Sequence, residues 1–385
     1  LERATPGAGA SHGNCGTITP SHALPLAQPG VIAQGLRWMM QADAPLRIAP
    51  TLDPQRLVWL ARFALHCTHG QVERVAPAKA ALLNRSRALI AAFVHAEAID
   101  CEFAHDGALQ VFRSQRGFDA GCAELELLRV HGVPVEVWDR ARVEREEPAL
   151  KSGVVGGLYW PNDAHLRPDR YVAALAARAC DAGVVIREQA EVAGFEVVGG
   201  RIHDVRVGQE MLNADTVLLA AGAWSPPIAR DLGLRLPIQP GKGYSITYSR
   251  PPQTPRRPLV LAEPRVCVTT WGSGFRLGST MEFAGYDETM NRVRLDALVR
   301  GAQEFLHEPV GPERIEDWWG WRPMTPDDLP IIGASTRIAN LWFATGHGML
   351  GMSMSNATAE LLAAQMLGQD SVIDPRPYSP ARFTL

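Results

Sequence analysis

Two hydrophobic periods alternate along this chain and divide it into elements. Leu57, Leu60, Ala61, Ala64 and Leu65 recur at helical spacing and predict a helix over 57–67 with that set facing the core. Leu82, Leu89, Ile90 and Phe93 do the same for a longer helix over 78–97. Further helices are expected over 169–182, ended by Gly183, and over 290–306. An irregular, Pro-rich segment from Pro20 to Pro54 is interrupted by one amphipathic stretch, 31–41. Strands are expected at 184–186, at 192–198 and 202–207 about a Gly199-Gly200 turn, and along the apolar run 216–221. Residues 103–112 read as a hairpin about Asp106-Gly107, and Tyr-, Val- and Thr-rich strands follow at 244–248, 266–271 and 275–279. This interleaving predicts a mixed α/β chain of two interwoven domains.

Two blocks near the ends carry candidate chemistry. Gly320-Trp321-Arg322-Pro323-Met324-Thr325-Pro326-Asp327-Asp328-Leu329-Pro330 reads as an arginine on a Pro-bounded turn, before a short apolar strand. Leu341 to Thr345 then runs into Gly346-His347-Gly348-Met349-Leu350-Gly351-Met352, opening a helix at about 355–367. Glycines in such a loop let backbone N–H groups approach a ligand, and the helix N-terminus behind it carries partial positive charge. At the front, Glu2 and Arg3 precede Gly9-Ala10-Ser11-His12-Gly13-Asn14-Cys15-Gly16. A carboxylate in that position suits a ribose hydroxyl at the end of a second strand. Together these blocks resemble the D-amino acid oxidase/dehydrogenase (DAO) family of FAD enzymes. Pro240-Gly241-Lys242-Gly243-Tyr244-Ser245, Trp38 to Arg47 and Asn14 to Ser21 place the chain nearest that family's bacterial D-amino acid dehydrogenases. The resemblance spans nearly the whole chain and is weakest between Thr68 and Glu147.

The resemblance implies a Rossmann-like FAD-binding domain made of 1–45, 148–235 and 318–385, interleaved with an antiparallel-sheet substrate domain of 46–147 and 236–317 with a helical segment. By the spacing of such domains, the first strand, Gly-rich turn and first helix are expected to lie ahead of Leu1. The alternative is a cofactor-free, non-catalytic binding subunit that truly starts there. Glu2, Arg3, Ser11, Asn14 and Gly16, Val192 beside adenine, and Ala221, Gly222 and Trp224 are the residues implied for the cofactor. Gly346, Gly348, Met349, Leu350, Gly351 and Met352 are implied for the flavin ring. Relatives with covalent flavin use a cysteine in the Gly-x-Arg-Pro neighbourhood, and none is adjacent in this sequence, so noncovalent FAD is expected.

The implied reaction is oxidation of a D-amino acid, or a small secondary amine such as a D-proline derivative, to an imino acid that hydrolyses to a 2-oxo acid and ammonia. Electrons would pass to a quinone or another carrier; an oxidase that makes hydrogen peroxide is the same-class alternative. Arg322 matches the residue that holds the substrate carboxylate, which suits a planar fork, although a bridge to Asp327 is its other use. Tyr244 is read as a substrate-contacting hydroxyl or a core tyrosine, and His347 as a flavin contact or a turn residue. His12 and Lys242 are weaker candidates, and no strong base is required because a neutral amine can give hydride directly.

Composition changes this picture little. The chain has 385 residues, 46% of them hydrophobic, enough for a large core split over two domains. A net charge of −3 gives no reason to expect nucleic acid. The six cysteines form no Cys-x-x-Cys and no metal-ligand spacing, so reduced thiols, no metal and a cytoplasmic setting are expected. Peripheral contact with the inner face of the plasma membrane is left open, with 31–47 as the surface candidate and internal packing of that stretch as its rival.

Overall fold

The computed structural model describes residues 1–39 and 44–383. Met40 and Gln41, the end of the expected amphipathic stretch, lie outside the described residues; its start is a helix, Val31–Trp38.

Local chemistry accounts for most helix ends. Asp53 accepts a hydrogen bond from the amide of Gln55, with Pro54 in the first turn, and starts Pro54–His66. Thr68 caps His69–Ala96 through the amide of Gln71. This 28-residue helix begins earlier than its apolar spacing implies, because Pro77 is carried inside it. The helix from Pro54 also turns another way than expected. Trp59 and Arg56 are buried, whereas Leu57 and Leu65 are exposed, because the Trp59 ring packs at a tilt against Phe283 and its indole N–H donates to the Met324 carbonyl. No strand forms at 184–186, where Val184 and Val185 are exposed.

A nine-stranded sheet is the principal platform. Its order runs Arg314–Met324, Gln239–Tyr248, Gly274–Phe283, Val266–Trp271, Leu259–Leu261, Ala108–Phe112, Gly156–Trp160 and Glu136–Asp139, with Leu46–Ile48 added beside Gly274–Phe283. Most neighbours are antiparallel, as expected, but the 103–112 hairpin does not form. Gly107 does turn, with φ +71, yet the strand after it pairs with Gly156–Trp160 and Leu259–Leu261. Gly156–Trp160, which falls within the expected FAD-binding segment 148–235, belongs to this sheet.

The two faces of the sheet differ. Ile246, Leu277, Val268, Leu259 and Leu109 lie in one cross-strand row and bury themselves against Leu295, Leu298 and Phe305 of the helix Arg292–Phe305. The next row is Trp318, Ser245, Gly278, Cys267, Val260 and Gln110, on the opposite face. That face looks into a cavity.

Across the cavity stands a small sheet, Val217–Leu219 parallel to Leu341–Thr345, which pairs antiparallel with Ile331–Ala334. The helix Gly351–Met366 follows it and packs on His69–Ala96, Met354, Ala357 and Leu361 meeting Val75, Leu82 and Leu83.

Candidate functional site

A cavity of about 1900 Å³ separates the large sheet from the small one. That is roughly double the upper end of ordinary small-molecule pockets, which run to ~1,000 Å³, and leaves room for a large cofactor together with a substrate. Its walls bring the two ends of the chain together.

One half is built by the termini of the small sheet. Its two parallel strands both end at the cavity, where open α/β sheets bind ligands. Gly222 turns there with φ +54, and a β-carbon on it would meet open space, so its glycine serves backbone conformation. Thr345 Oγ1 donates to the Gly222 carbonyl at 3.1 Å and ties the two strand ends together. Glu2, Arg3, Ser11, Asn14, Val192, Ala221 and Trp224 all line this half, and the Arg3 guanidinium lies 4.6 Å from the centroid of the Trp224 ring. Gly348, Met349, Leu350, Gly351 and Met352 line it too, at the start of Gly351–Met366. No side chain caps that helix, so its first amides face the cavity with the positive end of the helix dipole behind them.

Gly16 and Gly346 are placed differently from expectation. A β-carbon on Gly16, with φ +72, would strike the Leu166 carbonyl, and one on Gly346, with φ +77, would strike Thr325. Both are glycine for packing behind the cavity wall. His347 does line the cavity, and its Nε2 lies 3.0 Å from Thr358 Oγ1. Burial pushes its pKa down to about 4, so it stands neutral at physiological pH.

The other half is the floor of the large sheet. Arg322 lies in the strand Arg314–Met324, not on a turn, and its side chain lies flat over Gly243 of the neighbouring strand. Its Nη1 donates to the Thr280 carbonyl at 2.8 Å, and the rest of the fork faces the cavity. Ser279 and Thr280 form a bulge with φ 134 and 57, which turns that carbonyl toward the guanidinium. The bridge to Asp327 is not made, because Asp327 is held by Arg382. Trp318 lies across Gly320 and against Gly13, beside this arginine on the cavity face.

Tyr244 touches the cavity wall, but its hydroxyl and Lys242 are directed elsewhere. The Tyr244 ring packs in the core against the helix Arg292–Phe305, and its hydroxyl donates to Glu282 at 2.6 Å. Lys242, fully buried, donates to the Asp287 carbonyl at 2.6 Å behind the sheet. Period-two alternation puts both on the face opposite Gly243 and Arg322. His12 Nε2 pairs with Glu316 at 2.8 Å.

Sequence reasoning missed several cavity groups. Ser21 Oγ donates to Asp163 at 2.6 Å and lies 3.1 Å from His22 Nδ1. Burial pushes Asp163 up to about 7; burial, with Lys79 and Arg265 nearby, pushes His22 down to about 4. Neither residue sits in a motif, so nothing short of the fold brings them together. Trp318 was better advertised, in the run Trp318-Trp319-Gly320-Trp321 beside Arg322.

Known proteins resemble this arrangement. The profile of a family described as DAO, FAD dependent oxidoreductase, matches residues 1–365. A D-amino acid dehydrogenase of Agrobacterium fabrum is 33% identical over 378 residues, covering 97% of this chain and 90% of that protein. One from Sinorhizobium medicae is 34% identical over 383 residues, with the same two coverages of 97% and 90%. Among solved structures, glycine oxidase from Geobacillus kaustophilus superposes with a TM-score of 0.77 at 22% identity, over 100% of this chain and 91% of that one. Iminodiacetate oxidase from Chelativorans gives 0.68 at 19% identity, over 97% and 89%.

Proposed function

Because the chain belongs to the DAO family of FAD-dependent oxidoreductases, we propose that it oxidises D-amino acids to imino acids, which water hydrolyses to 2-oxo acids and ammonia. The observation that carries this reading is the Arg322 fork, anchored on the Thr280 carbonyl at 2.8 Å and open to a cavity that ends at an uncapped helix N-terminus. FAD, when bound, supplies the two-electron acceptor. The residues present fit it: Glu2 and Val192 at one end, the open turn at Gly222, and the amides of Met349 to Met352 at the other. Those amides favour negative charge beside them, a contribution made before any reaction begins. Arg322 takes the carboxylate and fixes which face of Cα looks across the cavity, while Trp318 and Met281 exclude water beside it. His347, neutral, holds its position through Thr358 and carries no proton to the substrate.

The electron acceptor in this reading is a membrane quinone or a similar carrier. Supporting it, Ile32, Leu36 and Met39 are exposed around Val31–Trp38, and Leu57, Val58 and Leu65 around Pro54–His66. Gln34 and Trp38 on the first helix and Leu60 and Phe63 on the second also line the cavity, so an apolar outer surface lies close to the reacting centre. No described helix is long and apolar enough to cross a membrane. Flotation with anionic vesicles, compared with an Ile32→Ser/Leu36→Ser variant, tests this contact.

The reaction is tested by adding D-amino acids, their L-enantiomers, glycine and sarcosine to the FAD-loaded protein without oxygen. D-amino acids are expected to bleach the flavin and Arg322→Ala to abolish the effect. Bleaching by glycine alone would replace the proposed substrate class. Rapid peroxide formation on admitting air would identify oxygen as the acceptor.

A further inference from the structure

We propose that Cys15 and Cys267 form an oxidisable dithiol site in the substrate cavity, which a hydroperoxide converts to a disulfide and which thereby sets how tightly the cavity holds a carboxylate. The second clause rests on the reading of Arg322 as the carboxylate anchor; the first does not.

The two cysteines come from different halves of the molecule. Cys15 belongs to the strap Asn14–Gly16 on the cofactor side, and Cys267 to the strand Val266–Trp271 of the large sheet. Arg276 holds the strap by donating from Nη1 to the carbonyls of Asn14 at 2.7 Å and His12 at 3.0 Å. The Gly16 amide folds it further onto Asn14 Oδ1 at 2.7 Å. So held, the Cys15 sulfur fills the space that a β-carbon on Gly278 would need. Gly278 is the direct antiparallel partner of Cys267. Side chains in such positions are cross-strand neighbours, with β-carbons about 4.5–5.5 Å apart. Cys15 thus replaces the missing Gly278 side chain and lies beside Cys267 across the strand pair.

Their chemistry is unequal. The neighbouring Cys267 thiol, then Arg276 and Arg322, holds the Cys15 thiol below its ordinary range against the effect of burial. Cys267, beside that thiol and buried, is raised well above it. One is a nucleophile and the other a resolving thiol, and both open onto the cavity through which a small oxidant arrives. Cys67, Cys101 and Cys122 are instead raised by burial.

The reaction balances. The Cys15 thiolate attacks one oxygen of hydrogen peroxide, an S–O bond forms, the O–O bond breaks and hydroxide leaves. The Cys267 sulfur then displaces hydroxide from that sulfenic acid as its own proton is released. Two thiols lose two electrons and one peroxide becomes two waters. The negative charge beside Arg276 and Arg322 disappears, so an incoming carboxylate no longer meets it. Removing one charge a few ångströms away, at an effective dielectric of about 20, changes carboxylate affinity by roughly tenfold or more.

The test uses reduced, FAD-loaded protein at pH 8.5, treated with peroxide and then catalase. Thiols counted in denaturant are expected to fall from six to four, with a Cys15–Cys267 peptide that dithiothreitol releases and Cys267→Ser cannot form. Benzoate, followed by its perturbation of flavin absorbance, is expected to bind about tenfold more tightly to the oxidised form. A count that stays at six, or a disulfide elsewhere, overturns the dithiol site. A Cys15–Cys267 disulfide that leaves benzoate affinity within twofold overturns the charge coupling. Benzoate binding in neither state instead overturns the carboxylate reading of Arg322, with the thiol count still deciding the site.

Discussion

Replacing Gly243 with alanine tests the carboxylate anchor without touching it. Its φ is not in the left-handed region, so the backbone accepts alanine. Space is the difficulty: a β-carbon there would lie 2.2 Å from Arg322 Nη1 and 2.3 Å from Cζ, where ordinary contact begins at 3.4 Å. The guanidinium must retreat by about 1 Å, and the 2.8 Å bond to the Thr280 carbonyl breaks as it does. Losing a hydrogen bond from a charged donor costs about 1.5–3 kcal/mol, and a misplacement near 1 Å costs on the order of 100-fold in rate. We expect kcat/KM for a D-amino acid to fall by about 30- to 100-fold, mainly through weaker binding. Stability should fall by about 1.5–3 kcal/mol with that bond, and by little more, because the far end of a flexible side chain gives way to the β-carbon. Anaerobic stopped-flow reduction over a range of substrate concentrations separates binding from the limiting rate, and thermal unfolding supplies the control. An efficiency within threefold of the parent, in a variant whose lowered stability shows the Thr280 bond lost, would refute the placement of the carboxylate on Arg322.

Three further outcomes are expected. Tyr244→Phe should lower stability by about 1–2 kcal/mol through loss of its bond to Glu282 and leave kcat/KM within threefold, since the ring sits behind the sheet; a 30-fold loss of activity would return Tyr244 to the site. His347 has a folded pKa of about 4 against 6.5 when unfolded, so its contribution is present above pH 6.5 and lost as pH falls toward 4. Urea unfolding should therefore show His347→Asn losing about 1 kcal/mol less than the parent between pH 7.5 and 5.5, and equal slopes would contradict a neutral buried imidazole. Lys79→Ala strands Asp328, its 2.6 Å partner at 3% and 9% side-chain exposure, and should cost about 3–5 kcal/mol by the same assay, with a cost under about 1 kcal/mol counting against the pair.

Much of this was legible before the fold was known, and for identifiable reasons. Strands 192–198 and 266–271 appear as read, because alternation and β-branched residues report a half-buried sheet directly. The motif blocks around Arg322 and Gly348 do reach one cavity, since each carries its own turn chemistry. Facing was harder. Leu57 and Leu65 mark an apolar stripe, yet Trp59 and Arg56 on another face make the contacts, and sequence does not say which apolar face meets the core. Of the two uses read for Tyr244, the core packing is the one seen for its ring, and one step of alternation is enough to decide between them. Gly16 and Gly346 carry the same residue type as Gly222 but answer to a neighbouring carbonyl and a threonine methyl rather than to a ligand.

The way the sheets are threaded bears on how the protein is made. Thr17–Ile18 waits for Ala164–His165, Ala108–Phe112 for Leu259–Leu261, and Val217–Leu219 for Leu341–Thr345. No wall of the cavity closes until these distant partners have been made, and the helix Gly351–Met366 follows all of those strands. Pairings so distant in sequence fold slowly, leaving unpaired apolar strands exposed meanwhile. The cofactor can therefore join only a finished chain. Flavin added to the completed apoprotein should load it as fully as flavin supplied during expression.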